Sequence, residues 1–257
     1  MKPDRTAFDL RLKESGISPG DIVSMVSKHQ VPQALSVYTS HVEGFGTHTS
    51  DLDCYVITQD EGGQERPENV VIAAGDLTLD VEFFRTSDIM ALRKYLSDIQ
   101  TLEGTKATSI DFGKLKLLHK LQLAIPLLGP GPWGGAGLTP DEDVLLDWSV
   151  AAYFRELAQE ELDDAIVFHQ NMDFESAAVL ARQILRNAVL SYLASQHRRV
   201  VKPKWMWRQL VGTYGGDHWL VNVVHKCLVT GVQQANVEND TGELLGLCRD
   251  LLVESQV

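Results

Sequence analysis

Asp51 and Asp53 stand two residues apart at the head of an apolar run, Cys54 to Ile57. Asp80 and Glu82 stand two apart inside another, Leu77 to Phe84. On a strand, alternate side chains leave the same face, so each pair projects together. Adjacent carboxylates repel unless a proton or a cation lies between them. Such oxygen groups on neighbouring strands suit a hard cation such as magnesium. Upstream, Thr39 and Ser40 end a first apolar run, Leu35 to Tyr38, and ten residues containing Gly44 and Gly46 separate Ser40 from Asp51. Ser50 closes that loop. A small-residue turn of this kind offers backbone N–H groups to phosphate. Acids and turn together have the composition of a magnesium–nucleotide site. The plainer alternative for Asp80 and Glu82 is a half-exposed strand, with Leu79, Val81 and Phe83 as its buried face.

A second group of charged residues lies far downstream, at His197-Arg198-Arg199-Val200-Val201-Lys202-Pro203-Lys204-Trp205. It is the densest basic run in an acidic chain. Pro203 breaks any helix there, so a loop leads into a helix that starts at Trp205. Lys204, anchored by Trp205 and Trp207, is the candidate in this run for a contact to triphosphate. A solvated helix cap explains the same residues, since cations favour helix C-termini. Arg182 and Arg186 lie one turn apart on a helix; they either face the cleft or pair with acids on the surface, and the surface reading is the plainer one. The eight histidines show no zinc-ligand spacing.

The elements that must position these residues follow from periodicity and punctuation. Ser18-Pro19-Gly20-Asp21 caps a helix running to about His29. Strands are expected at 33–38 and 50–58, then a polar loop at 59–69. Val70 to Ala74 and Leu77 to Phe84 flank Gly75-Asp76 as a hairpin. Ile89, Leu92, Leu96 and Ile99 recur at helical spacing, as do Leu115, Leu118, Leu121 and Ile125. Residues 128–138, LGPGPWGGAGL, hold most of the Pro and Gly density and mark a domain boundary. Thr139-Pro140-Asp141-Glu142 then opens a helix with a capping box. Further helices are expected at 140–170, 174–195, 205–214, 217–230 and 242–254. The fold class is therefore α+β: a mixed sheet flanked by helices over 1–128, followed by an all-helical domain over 139–257.

Composition bounds the partners. The 257 residues carry 35 acidic against 23 basic side chains, a formal net charge of −12. Affinity for nucleic acid comes mainly from Lys and Arg, so the charge speaks against a nucleic-acid substrate. No apolar run reaches the length of a membrane span, and the N-terminus lacks the apolar core of a signal peptide. Three cysteines without a CxxC pair point to a reducing, cytoplasmic setting.

Ser40, the ten-residue gap and Asp51-Leu52-Asp53 resemble the signature of the polymerase-β-like nucleotidyltransferase superfamily. Over the sequence of domains, the likeness extends to the aminoglycoside-type enzymes with a C-terminal helical domain. The resemblance implies that Asp51, Asp53 and Asp80 hold magnesium, and that Thr39, Ser40 and Ser50 line the nucleotide phosphates. It implies that Asp80 or Glu82 takes the acceptor proton, and that Lys204 assists the triphosphate of an NTP, with ATP the expected one. The helical part would close the cleft over nucleotide and acceptor. The activity implied is transfer of a nucleoside monophosphate to a hydroxyl of a small molecule, such as an antibiotic or a biosynthetic intermediate. Two alternatives stand beside it: a protein-modifying or antitoxin-type nucleotidyltransferase, and a nucleotide-binding module that has lost turnover. One position departs from the signature, since Thr39 stands where the family carries Gly.

Overall fold

The computed structural model describes residues 3–59, 69–100, 110–134, 137–230 and 237–255. Most of the expected loop at 59–69 lies outside these residues, as do 135–136 of the Gly/Pro segment. The chain divides into two compact units, Met1–Thr101 with Lys116–Asp143, and Leu102–Leu115 with Val144–Val257. The Gly/Pro segment at 128–138 is thus counted with the first unit.

The first unit begins with two short helices, α1 (Arg5–Glu14) and α2 (Pro19–Ser27). In α2 the expected cap is present: the Ser18 side chain accepts from Asp21 N, and the Asp21 carboxylate accepts from Ser18 N. The α1 helix was not expected. Phe8 and Leu12 are its buried apolar residues, on an otherwise polar helix, so periodicity alone does not reveal it.

Five strands follow among the described residues: β1 (Ala34–Tyr38), β2 (Leu52–Thr58), β3 (Val70–Ala74), β4 (Leu77–Arg85) and β5 (Ile125–Leu128). They form one mixed sheet in the order β3-β4-β2-β1-β5. The β2 and β4 strands are parallel and the other neighbours antiparallel. The hairpin expected at Gly75-Asp76 joins β3 to β4. Gly75 has φ +64°, a conformation that suits glycine. Leu52, Cys54 and Val56 on β2 pair with Leu79, Val81 and Phe83 on β4, and all six are buried. This apolar face is the one that strict alternation in β4 predicts.

Helix α3 (Thr86–Gln100) follows β4, and α4 (Phe112–Leu123) follows it in turn. Ile125, expected to continue the α4 periodicity, instead begins β5. Pro126 lacks the N–H that a helix or a central strand requires, and β5 is the sheet's edge, where proline is tolerated.

The second unit is helical: α5 (Pro140–Gln170, from Val144 onward), α6 (Phe174–Ser195), α7 (Met206–Tyr214), α8 (Trp219–His225) and α9 (Val237–Glu254). A 3-10 turn at Pro203–Trp205 precedes α7, so Trp205 ends a turn where a helix start was expected. Among the described residues no helix is long and apolar enough to cross a membrane.

Candidate functional site

The sheet register brings the expected acids together in part. Asp53 and Asp80 are direct partners across the parallel β2–β4 pair, and Tyr55 and Glu82 are the next partners on the same face. Directly opposed residues share a face. Asp53, Asp80 and Glu82 are therefore on the face opposite to the buried Leu52 and Leu79, and none of the three is fully buried. Asp51 lies immediately before β2 and is exposed. The acids also act on their neighbours: burial, reinforced by Asp53 and Asp80, pushes the Cys54 thiol up. Burial, with Asp53 and Glu82 behind it, pushes the Tyr55 phenol up.

A cation reaches this pair from α4. Lys120 Nζ lies 3.0 Å from Asp53 Oδ1, with the two side chains only 11% and 14% exposed. The same ammonium stands 5.6 Å from the centroid of the Tyr38 ring. Lys120 thus supplies positive charge where paired carboxylates need it. Its neighbour His119 is fully buried, and His119 Nε2 lies 2.8 Å from Glu43 Oε1. The Tyr38 hydroxyl donates to the other oxygen of Glu43. Two consecutive residues of one helix therefore fix the turn after β1 and the head of β2. None of Tyr38, Glu43, His119 and Lys120 stood out in the sequence. A lysine in the Leu115–Leu123 run looks like any solvated cation until a partner 67 positions away is known.

The loop between β1 and β2 is built, residue by residue, as a closed turn. Ser40–Glu43 is a short 3-10 turn ended by Gly44 at φ +78°. Phe45 N donates to Ser40 O at 2.9 Å. Ser40 Oγ donates to Ser50 Oγ at 2.9 Å, and Ser50 Oγ accepts from Thr47 N at 2.9 Å. The two serines expected to face phosphate thus stand side by side. His41 Nε2 lies 3.0 Å from Thr47 O, and its ring crosses Gly46 so closely that a Cβ there would sit 2.2 Å from it. From α1, buried Arg11 donates to His48 O at 2.7 Å and reaches Asp76 at 3.4 Å. Thr39 has φ −149° and ψ 155°, extended backbone open to any residue, and its side chain is fully buried. Its β-branch is therefore turned into the protein.

Asp53, Asp80 and Asp51 offer only oxygen, the donor chemistry of a hard cation. Asp53 is paired with Asp80 in the register, and one Asp53 oxygen is taken by the Lys120 ammonium. Among the described residues, no three His, Cys, Asp or Glu side chains stand together as a complete metal cluster.

In the helical unit the basic run divides by role. Asp147, buried in α5, binds Arg199 through Oδ1 at 2.5 Å and His197 Nδ1 through Oδ2 at 2.9 Å. Arg199 is 3% exposed, so it anchors the segment and does not cap it in solvent. Lys204 is exposed, with its Nζ 5.0 Å from the Trp205 ring centroid. Arg208 approaches the same ring at 5.1 Å. Of the two tryptophans expected to anchor Lys204, Trp205 is in ring contact with it, and Trp207 lies 5.5 Å from the His225 ring.

Compared with known proteins, the chain matches no family model and no curated sequence.

Proposed function

We propose that the chain is a magnesium-dependent nucleotidyltransferase that moves a nucleoside monophosphate, AMP from ATP, to a hydroxyl of a small molecule. The observation that carries this is the pairing of Asp53 with Asp80 on one sheet face, with the Ser40–Ser50 turn leading directly into β2. Asp51, Asp53 and Asp80 would hold magnesium, which when bound neutralises the triphosphate for in-line displacement at the α-phosphorus. Ser40, Ser50 and the backbone N–H groups of their turn bind the β- and γ-phosphates, with Thr39 behind them. Asp80 accepts the proton of the acceptor hydroxyl as its oxygen bonds to the α-phosphorus and pyrophosphate leaves. Glu82, one row further along β4, is the other candidate for that proton. Lys204 adds a mobile point charge toward triphosphate.

The assignment of the base is tested by comparing turnover of Asp80→Asn and Glu82→Gln at saturating nucleotide. The larger loss is expected in Asp80→Asn; a larger loss in Glu82→Gln would move the base one row along the strand.

One observation favours a second reading. The Lys120 ammonium already neutralises Asp53. A chain in which that pairing is permanent would bind nucleotide without turnover.

A further inference from the structure

The helical unit contains a cleft of about 550 Å³ between α5 and α6 that shares no residue with the acids and serines above. One wall is aromatic. Phe112 stacks on Tyr153 at 4.5 Å with planes 10° apart, and Phe154 meets both edge-on at 5.1 and 5.3 Å. Such mutually packed rings form a rigid apolar surface. The other wall is cationic. Arg182 and Arg186, one turn apart on α6, both line the cleft together with Asn187.

The two guanidinium groups have no carboxylate within ion-pair distance among the described residues. This is unusual in a chain of net charge −12, where acidic partners are plentiful. Glu161 lines the same cleft and does not neutralise them. Its Oε1 accepts from the Gln183 amide, its Oε2 is shielded from solvent without a partner, and desolvation pushes its carboxyl up. The Nε of Arg182 is likewise buried and unpartnered, which leaves the forked end of the guanidinium as its only polar outlet. Arginine forks match phosphate and carboxylate geometry, and aromatic faces accept planar rings.

We propose that this cleft binds a small aromatic anion, a phosphate or carboxylate on a planar ring, with the anion held by Arg182 and Arg186 and the ring laid against Phe112 and Tyr153. The site is independent of the nucleotidyltransferase reading, because its test needs neither magnesium nor nucleotide.

The test is ligand-observed NMR and calorimetry on the full chain in EDTA, with phenyl phosphate, benzoate, phenol, inorganic phosphate and phenyltrimethylammonium as probes. Phenyl phosphate or benzoate should bind, and the tighter of the two identifies the anion. Phenol and inorganic phosphate should bind more weakly than the anion that carries both features, and the cationic ring not at all. Arg186 is exposed, so Arg186→Gln should leave the fold intact by circular dichroism and weaken the anionic probe by about tenfold or more. Asp53→Asn should leave that binding unchanged, which separates this cleft from the Ser40 turn. The proposal is overturned if neither anionic probe binds, if phenol or the cationic ring binds equally well, or if Arg186→Gln binds like the parent chain.

Discussion

At the scale of single residues, the decisive contact is the one between Lys120 and Asp53. Two charges 3.0 Å apart, with side chains only 11% and 14% exposed, stabilise each other, and removing one partner of such a pair is costly. Asp80 sits directly beside Asp53 in the register, so loss of the ammonium would leave two carboxylates facing each other. Lys120→Met is therefore expected to lower stability by about 3 kcal/mol in urea denaturation. If the acids can hold magnesium, the ion should restore part of that loss, read as a rise in melting temperature. The same addition should do little for the Lys120→Met/Asp53→Asn double variant. A Lys120→Met variant as stable as the parent would show that the ammonium is incidental to the pair. The buried orientation of Thr39 belongs to this scale too. What looks in sequence like an obstacle to phosphate is a fully buried side chain on extended backbone.

At the scale of elements, much was legible because local chemistry and tertiary need agree. The alternation Leu77, Leu79, Val81, Phe83 against Asp80 and Glu82 has one solution as a strand, and Gly75-Asp76 closes the hairpin. The capping box at Thr139 and Glu142 also formed: Thr139 N donates to Glu142 Oε2 at 2.7 Å, and Glu142 N donates to Thr139 Oγ1 at 3.2 Å. Sequence could not show that Arg93 of α3 binds the same carboxylate in a two-pronged contact at 2.6 and 2.7 Å. That hydrogen bonding holds the Glu142 carboxyl down to about 2, against an ordinary 4.5. A depressed carboxyl contributes stability that is complete above its unfolded value and is lost as pH falls through the folded one. The contribution is thus present above about pH 4.5 and disappears toward pH 2. Glu142→Gln should be less stable than the parent at pH 7 and should show a shallower loss across that window in acid unfolding. Parallel acid curves would remove Glu142 from the account. What stayed hidden has a common cause. The α1 helix is too polar for its pattern to show, β5 shares its Leu and Ile with a helical pattern until Pro126 acts, and Lys120, His119 and Arg199 take their meaning from partners dozens of residues away.

At the scale of the whole molecule, an α+β unit and a helical unit interleave along a strongly acidic chain, with Leu102–Leu115 belonging to the helical unit. The candidate acids and phosphate turn lie in the first, and Lys204 in the second. If the helical unit takes part in nucleotide binding, Lys204→Ala should raise the apparent KM for NTP and lower the rate, with Lys202→Ala doing less. Steady-state kinetics of the two variants separate that outcome from an exposed lysine resting on Trp205, for which both would match the parent. The central claim concerns the chemistry at Asp51 and Asp53. Its most direct measurement is pyrophosphate release from each NTP, with magnesium, against a panel of aminoglycosides and other polyols. The account predicts magnesium-dependent release with ATP and an acceptor, reduced roughly a hundredfold or more in the folded Asp51→Asn/Asp53→Asn double variant. Equal release by that variant, or no release from any nucleotide, would contradict it.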